Sequence, residues 1–147
     1  MSKTVSVFFN VDRAYVTMVD KTDNGLELLY LNSTQSRIDL ENPTNDDSVL
    51  GIQELKLFFS ELKDFDRVTV TLPAENVLVT KFPGNDEMTP SQIRRLVDFE
   101  LKQNYPQFNY DDFTVSVTTL SPTLDNTQMM LGVIIPNQIY LAASDIV

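Results

Sequence analysis

The chain has 147 residues, of which 42% are apolar and 22% are charged, so we expect it to fold around a core of its own. Its net charge of −10 repels phosphate backbones and anionic lipid, so nucleic acid is not an expected partner. It contains no cysteine and no histidine, which excludes disulfides, thiolate-bound zinc and catalytic triads with a histidine base.

The chain shows no targeting or membrane-spanning pattern. Its first residues, MSKTVSVFF, lack an apolar run long enough for a signal peptide. No later segment approaches the length of a transmembrane helix. We therefore expect a cytoplasmic protein that does not insert directly into a membrane.

Three strands are predicted at the start of the chain. The runs Thr4–Phe9 and Ala14–Val19 are rich in β-branched and aromatic residues, and residues 11–13 form the turn between them. Asp23-Asn24-Gly25 is typical of a tight hairpin, after which Leu26–Leu31 returns as a third strand. These patterns indicate a three-stranded antiparallel meander.

A helix is predicted after a polar connection over residues 32–47. Ser48 is the predicted N-cap. Apolar residues then recur at helical spacing up to a predicted end near Lys63. The stripe consists of Ile52, Leu55, Phe59 and Leu62, with Phe58 beside it.

The next segment predicts two strands and the best-defined helix of the sequence. Residues 67–72 and 76–82 form the strands, and Pro83-Gly84-Asn85 forms a turn. Thr89 is the predicted N-cap, with Pro90 at the first helical position and Gln92 completing a capping box. Ile93, Leu96, Val97 and Leu101 form its apolar stripe, and Pro106 ends it.

The last third predicts two strands and a final helix. Residues 113–120 and 128–135 form the strands, joined by a turn from Ser121-Pro122 to Asn126, and Pro136-Asn137 opens the helix. This helix is still apolar at Val147, which indicates a longer protein, a partner that covers the end, or simple docking on the sheet. The element order βββ–α–β–β–α–β–β–α predicts an α/β (α+β) fold.

No segment predicts a catalytic or metal site. The four glycines fall in no phosphate-loop spacing. The turn that contains Asn10 and Asp12 could face a phosphate, but it lacks glycine, which favours an ordinary hairpin turn. The acidic pairs Asp46-Asp47 and Asp111-Asp112 lack calcium-loop spacing, which favours solvated loop acids.

Glu100 stands out on the second predicted helix, because helical spacing places it within or beside the apolar stripe. A carboxylate in that position is costly unless it is paired or reaches water. We therefore weigh an acid at the rim of the core against a structural ion pair or a contact with a partner.

A family resemblance rests on five short matches within residues 68–120. They are Leu72-Pro73, Val77 to Pro83, Phe99-Glu100, Tyr105-Pro106 and Asp111-Asp112. In this pattern the chain resembles the PilM-like branch of the actin-fold ATPases, the cytoplasmic component of type IV pilus assembly. The order of the predicted elements fits that family over most of the chain.

The resemblance implies an actin-like (ribonuclease H-like) βββα subdomain, formed by residues 1–72 and 136–147, with a small βαββ subdomain inserted at residues 73–135. In the family, a short segment of an inner-membrane partner docks in a groove between such subdomains. The resemblance thus implies a partner groove near Phe82, Ile93, Val97 and Glu100. The implied partner is the cytoplasmic tail of an inner-membrane assembly protein, which would hold the chain peripherally at that membrane.

The sequence also departs from the family, whose first phosphate loop contains glycine where this chain reads Phe8-Phe9-Asn10-Val11-Asp12-Arg13. We therefore expect a scaffold that binds a partner segment and has neither enzymatic activity nor a cofactor. The alternative is the front half of a nucleotide-binding actin-like ATPase, in which Asn10 and Asp12 would help bind ATP only in a longer chain. A third reading is an unrelated small α/β domain without a groove.

Overall fold

A computed structural model describes residues 2–122, 124–125 and 127–147. The predicted order of seven strands and three helices is confirmed. The elements are β1 (Ser2–Phe9), β2 (Ala14–Thr22), β3 (Gly25–Ser33), α1 (Asp46–Glu61), β4 (Arg67–Thr71), β5 (Leu78–Pro83), α2 (Pro90–Asn104), β6 (Phe113–Thr119), β7 (Met129–Pro136) and α3 (Asn137–Ile146).

The chain divides into two compact units. The first comprises the residues up to Ala74 together with Leu141–Val147, and the second comprises Glu75–Tyr140. The second boundary lies inside α3, because the Asn137 side chain accepts a hydrogen bond from Thr114 Oγ1 and donates one to Asp111 O, both at 2.8 Å. These bonds tie the first turn of α3 to the second unit. In the turn predicted after β6, Thr123 and Asn126 lie outside the described residues.

The first unit is built on a four-stranded sheet in the order β3-β2-β1-β4, in which β4 runs parallel to β1 and the other pairs are antiparallel. Alternate residues of β1 and β2 are fully buried, as expected for a sheet with one covered face. These residues include Val5, Val7, Ala14 and Val16. Helix α1 lies against β2 and buries Leu55 in the same core.

Both hairpins of the predicted meander are confirmed. The β1–β2 turn is closed by a 3.0 Å bond from Asn10 N to Arg13 O. Gly25 adopts φ 132°, a backbone conformation that residues other than glycine rarely adopt. This explains why glycine occupies the β2–β3 turn.

The predicted N-cap of α1 is wrong. The helix begins at Asp46, and the cap is Asn45, whose side chain accepts a 2.8 Å hydrogen bond from Ser48 N. Ser48 lies inside the first turn and is fully buried. Its hydroxyl accepts a 2.8 Å bond from Asp39 N and so fastens the preceding loop to the helix. Serine and asparagine both favour caps, and the tertiary contact with Asp39 decides between them.

The predicted start of β5 at Asn76 is also wrong. A short 3-10 turn over Ala74–Asn76 follows β4, and β5 begins only at Leu78. The antiparallel ladder of β5 with β7 starts at the pair Leu78 and Ile134, so Asn76 has no place in it.

The second unit packs α2 on one face of an antiparallel sheet in the order β5-β7-β6. The predicted capping box of α2 is confirmed, with Thr89 N donating to Gln92 Oε1 at 2.8 Å and Gln92 N donating to Thr89 Oγ1 at 3.3 Å. The core consists of Phe82, Val97, Leu101, Phe108, Met130 and Ile134. It therefore joins the helix stripe to β5 and β7, and partly buried residues of β6 pack against it.

Candidate functional site

The β1–β2 turn uses its polar groups internally. Asn10 Oδ1 accepts a 2.9 Å bond from Val11 N, and Asp12 pairs with Arg13 at 3.2 Å. Asp12 and Val11 are exposed, whereas Asn10 and Arg13 are half-buried. The turn brings the two predicted nucleotide-binding residues, Asn10 and Asp12, close together in the chain, but it presents no glycine backbone to a phosphate.

The four predicted groove residues do not share one surface. Phe82 is 1% exposed and Val97 is 0% exposed, so both belong to the core of the second unit and offer no surface to a partner. This corrects their assignment, and the reason is that the apolar stripe of α2 faces its own sheet. Ile93 and Glu100 are half-buried. The Glu100 side chain has no hydrogen bond or ion pair within the described part of the chain, which fits an acid at the rim of the core.

An open groove of about 850 Å³ lies elsewhere in the second unit, where α2 ends. Aromatic, aliphatic and proline side chains supply most of its wall, and a few polar groups stand among them. The lining residues are Leu78, Asn104, Tyr105, Pro106, Gln107, Phe108, Asp112, Phe113, Pro136 and Gln138. We call this surface the Tyr105 groove.

The sequence creates this groove by ending α2 abruptly. Pro106 cannot donate a helical hydrogen bond and disfavours helical geometry at the residue before it. Tyr105 accordingly leaves the helix with φ −130° and ψ 80°, while its N–H still bonds Leu101 O at 2.8 Å. The chain then turns back, with Phe108 N donating to Tyr105 O at 2.9 Å. The Phe108 ring stacks on the Phe113 ring, with 4.9 Å between the ring centroids, and the two rings form the apolar floor of the groove.

A polar cluster braces the segment that follows. Arg94 Nη2 lies 2.6 Å from Asp111 Oδ1, and the Arg94 guanidinium stands 4.7 Å from the centre of the Tyr110 ring. The Asn137 side-chain amide also donates a hydrogen bond to Asp111 O. Although the Arg94 pair is exposed and weak by itself, it acts together with the cation–π contact and the amide bond. The wall that contains Asp112 is therefore held from α2 and from α3.

The Tyr105 groove favours a positively charged ligand group. It lies at the C-terminal end of α2, where the helix dipole is negative, and Asp112 adds an exposed carboxylate. Tyr105 is 52% exposed, so its ring is available for contact. An apolar segment with a lysine or arginine beside it would match both properties.

The sequence did not predict this groove as a site, although four of its lining residues lie in the matches that gave the resemblance. They are Leu78, Tyr105, Pro106 and Asp112. The missed signal was a helix that ends in an exposed aromatic residue and proline, followed within a few residues by a buried aromatic, Phe108.

Within the described ranges, no three histidine, cysteine, aspartate or glutamate side chains are grouped so as to hold a metal ion. Across the same residues, no helix has both the length and the apolar character needed to cross a membrane.

No protein-family model and no curated protein sequence matches the chain. Solved structures do. One is the cytoplasmic domain of EpsL, an inner-membrane component of the type II secretion system of Vibrio cholerae, with 14% identity and a TM-score of 0.62, over 99% of this chain and 52% of that one. Another is the PilM-PilN type IV pilus biogenesis complex, with 13% identity and a TM-score of 0.64, over 97% of this chain and 43% of that one.

A weaker likeness, with 15% identity and a TM-score of 0.49, links 99% of the chain to 49% of a Bacteroides thetaiotaomicron protein with an actin-like ATPase fold and unknown function. The chain thus spans about half the length of the structures it matches. At these identities the likeness concerns the fold. The predicted mixed α/β fold class is confirmed: the described residues form two sheets and three helices, and the fold is similar to that of the two structures with TM-scores of 0.62 and 0.64.

Proposed function

We propose that the chain is a PilM-like, non-catalytic scaffold of a pilus or secretion assembly, and that it binds a short segment of a partner protein in the Tyr105 groove. The observation on which the proposal depends most is the groove itself, which is open and largely apolar and whose lining includes residues of the family pattern. Surfaces of this kind take short peptides with a few apolar anchors.

The structural neighbours support the assembly role. Both similar structures with TM-scores of 0.62 and 0.64 are components of bacterial assemblies, one of type II secretion and one of type IV pili. In the second of them, PilM stands in a complex with PilN. By analogy, the partner is the cytoplasmic tail of an inner-membrane assembly protein, and the chain acts in the cytoplasm, peripheral to that membrane.

The chemistry of the groove defines the segment. Phe108, Phe113 and Leu78 offer apolar contact, and Asp112 with the carboxyl end of α2 offers negative potential. The expected ligand is an extended segment with one or two large apolar side chains and an adjacent lysine or arginine. The net charge of −10 attracts such a tail from a distance.

A role without catalysis is supported by the lack of any histidine or cysteine in the sequence and by the β1–β2 turn, whose polar groups bond to each other. ATP binding would require backbone groups of a longer chain in addition to Asn10 and Asp12. Tight ATP binding by this chain alone, lost in an Asp12→Ala variant, would contradict the scaffold proposal.

The proposal is tested with an array of peptides that tile the cytoplasmic tails of inner-membrane proteins from the same genome. Affinities of the bound peptides are then measured by fluorescence polarisation for two variants on α2 and its cap. Tyr105→Asp places a charge in the groove, whereas Phe99→Asp places it at a position that is 63% exposed and outside the groove lining. We expect Tyr105→Asp to weaken binding by about tenfold or more, as for an aromatic side chain that becomes buried at the centre of an interface.

Phe99→Asp should leave the affinity unchanged, and Asp112→Lys should select against peptides with a basic residue. Equal loss in both aspartate variants, or an array without any bound peptide, would refute the proposed function. Circular dichroism of each variant establishes that the second unit remains folded.

A further inference from the structure

The sheet of the first unit has one apolar face that no element in the described ranges covers at β3. By strand register, Leu26, Leu28 and Leu31 of β3 share a face with Val19 and Lys21 of β2 and with Arg67 of β4. The three leucines are 77%, 58% and 63% exposed. Together with Lys21 and Arg67 we call them the leucine face. Contiguous apolar surface of this kind marks an interaction site.

The leucine face also has a distinct charge. Lys21 and Arg67 border a shallow groove of about 430 Å³ on this side of the sheet, which Ser2, Thr4 and Ser6 complete. Neither cation forms an ion pair or a side-chain hydrogen bond with another residue in the described part of the chain. In a protein of net charge −10, two unpaired cations beside three exposed leucines favour a ligand that is both apolar and acidic.

Such a surface exists on the same chain, on the solvent side of α1. Leu50 and Leu57 lie seven residues apart on one stripe, opposite the buried Gly51 and Leu55, and are 52% and 64% exposed. Acidic residues accompany them along the helix. Asp46 and Asp47 are exposed in the first turn. Glu54 and Glu61 add negative charge, although Glu54 accepts a 2.6 Å hydrogen bond from Gln35 N and Glu61 accepts one of 3.0 Å from Tyr30 OH. We call this surface the acidic helix face.

The two faces are also of similar length. Seven residues of helix span about 10.5 Å. Because the bulge in β3 takes up one residue, the row from Leu26 to Leu31 faces the four-residue step from Lys21 to Thr17, which spans about 13 Å of strand. Leu50 and Leu57 of one molecule can therefore lie over the leucine row of another. The acids beside them then lie on the side of the two cations.

We propose that a second copy of this chain docks its acidic helix face on the leucine face. Two symmetric contacts are less favourable. A contact between two leucine faces would bring the Lys21 and Arg67 cations of both copies together, and a contact between two acidic helix faces would bring their carboxylates together. The contact is thus heterologous and links copies head to tail into a ring or a filament. Repulsion between whole molecules is damped beyond about 8 Å at physiological salt.

The contact uses the face of the sheet and not its edge. The β2–β3 register shifts between Met18 and Val19, so a bulge interrupts β3 near its middle. Bulges disturb the free row of backbone groups and protect an edge from strand addition. The leucine side chains remain available on the face.

Sedimentation velocity of the 147-residue chain over a wide range of concentrations tests the proposal. The wild type should grow in mass with concentration. Leu28→Lys removes the leucine face and Leu57→Lys removes the acidic helix face, so each should weaken association by about tenfold or more. Leu141→Lys is the matched control, since Leu141 is 56% exposed on α3 and belongs to neither face.

Mixing the two disabled variants is decisive. Each retains the face that the other lacks, so together they should form a one-to-one dimer that cannot extend further. A wild type that stays monomeric would overturn the proposal. It would also be overturned by a Leu28→Lys or Leu57→Lys variant that still associates with itself as the wild type does, or by a mixture that remains monomeric.

Discussion

Thr34 has a buried hydroxyl group. Replacing Thr34 by valine should therefore lower the stability of the fold more than replacing it by serine. Its side chain is 0% exposed. Thr34 Oγ1 accepts a 2.9 Å hydrogen bond from Ala14 N and donates one of 2.7 Å to Ser36 O. Thr34 N also bonds Ala14 O at 2.9 Å, so this residue fastens the end of β3 to the start of β2.

The magnitude follows from the partners that would be left unpaired. Thr34→Val keeps the shape but leaves the N–H of fully buried Ala14 without an acceptor, which costs about 1–3 kcal/mol. Ser36 is half-buried and its carbonyl can reach water, which limits the additional loss to about 0.5–1.5 kcal/mol. Thr34→Ser keeps both bonds and loses one methyl group, which costs about 1 kcal/mol.

Urea denaturation followed by far-ultraviolet circular dichroism measures both variants. We expect Thr34→Val to lower the free energy of unfolding by about 2–4 kcal/mol and Thr34→Ser to lower it by about half as much or less. Apolar burial alone would rank the variants in the opposite order. A valine variant as stable as the wild type would refute the reasoning that these two hydrogen bonds hold the strand ends together.

Two further predictions concern a helix cap and an acid. Thr89→Ala removes the acceptor of the Gln92 N–H and should lower the free energy of unfolding by about 1 kcal/mol, while the neighbouring Ser91→Ala should change it by much less; equal effects would contradict the cap. Burial raises the pKa of Asp39, but the Glu41 N–H, the Asn42 side chain and the Arg37 charge outweigh it, so this pKa lies below its ordinary value of 3.8. A folded-state pKa below the unfolded one stabilises the fold above the ordinary value, and the stabilisation is lost as the pH falls through the folded pKa. Asp39→Asn should therefore be slightly less stable than the wild type at pH 7, and thermal melts should show the difference fading in acid; a constant difference would contradict it.

The order of elements was predictable from the sequence because most of its signals are local. The Thr89-Pro90 capping box and the Asp23-Asn24-Gly25 turn each fix backbone geometry through neighbours only a few residues away. The apolar stripe of α2 likewise indicated which of its side chains pack on the core.

The wrong predictions concern residues whose positions depend on contacts with distant parts of the sequence. Ser48 had the chemistry of a cap, yet Asp39 draws its hydroxyl into a buried contact and Asn45 caps the helix. Phe82 and Val97 were expected at a groove wall, but apolar residues on a helix stripe and its facing strand fill the core between them. The Tyr105 groove depends on how the chain packs after Pro106, which no spacing rule describes.

The most direct test of the proposed binding role is a map of amide chemical shifts in the protein with and without the tightest-binding peptide from the array. We expect the largest changes on residues 104–108 and on Asp112 and Phe113, with none at the β1–β2 turn. Largest changes at the β1–β2 turn or elsewhere in the first unit, with the Tyr105 groove unaffected, would contradict it.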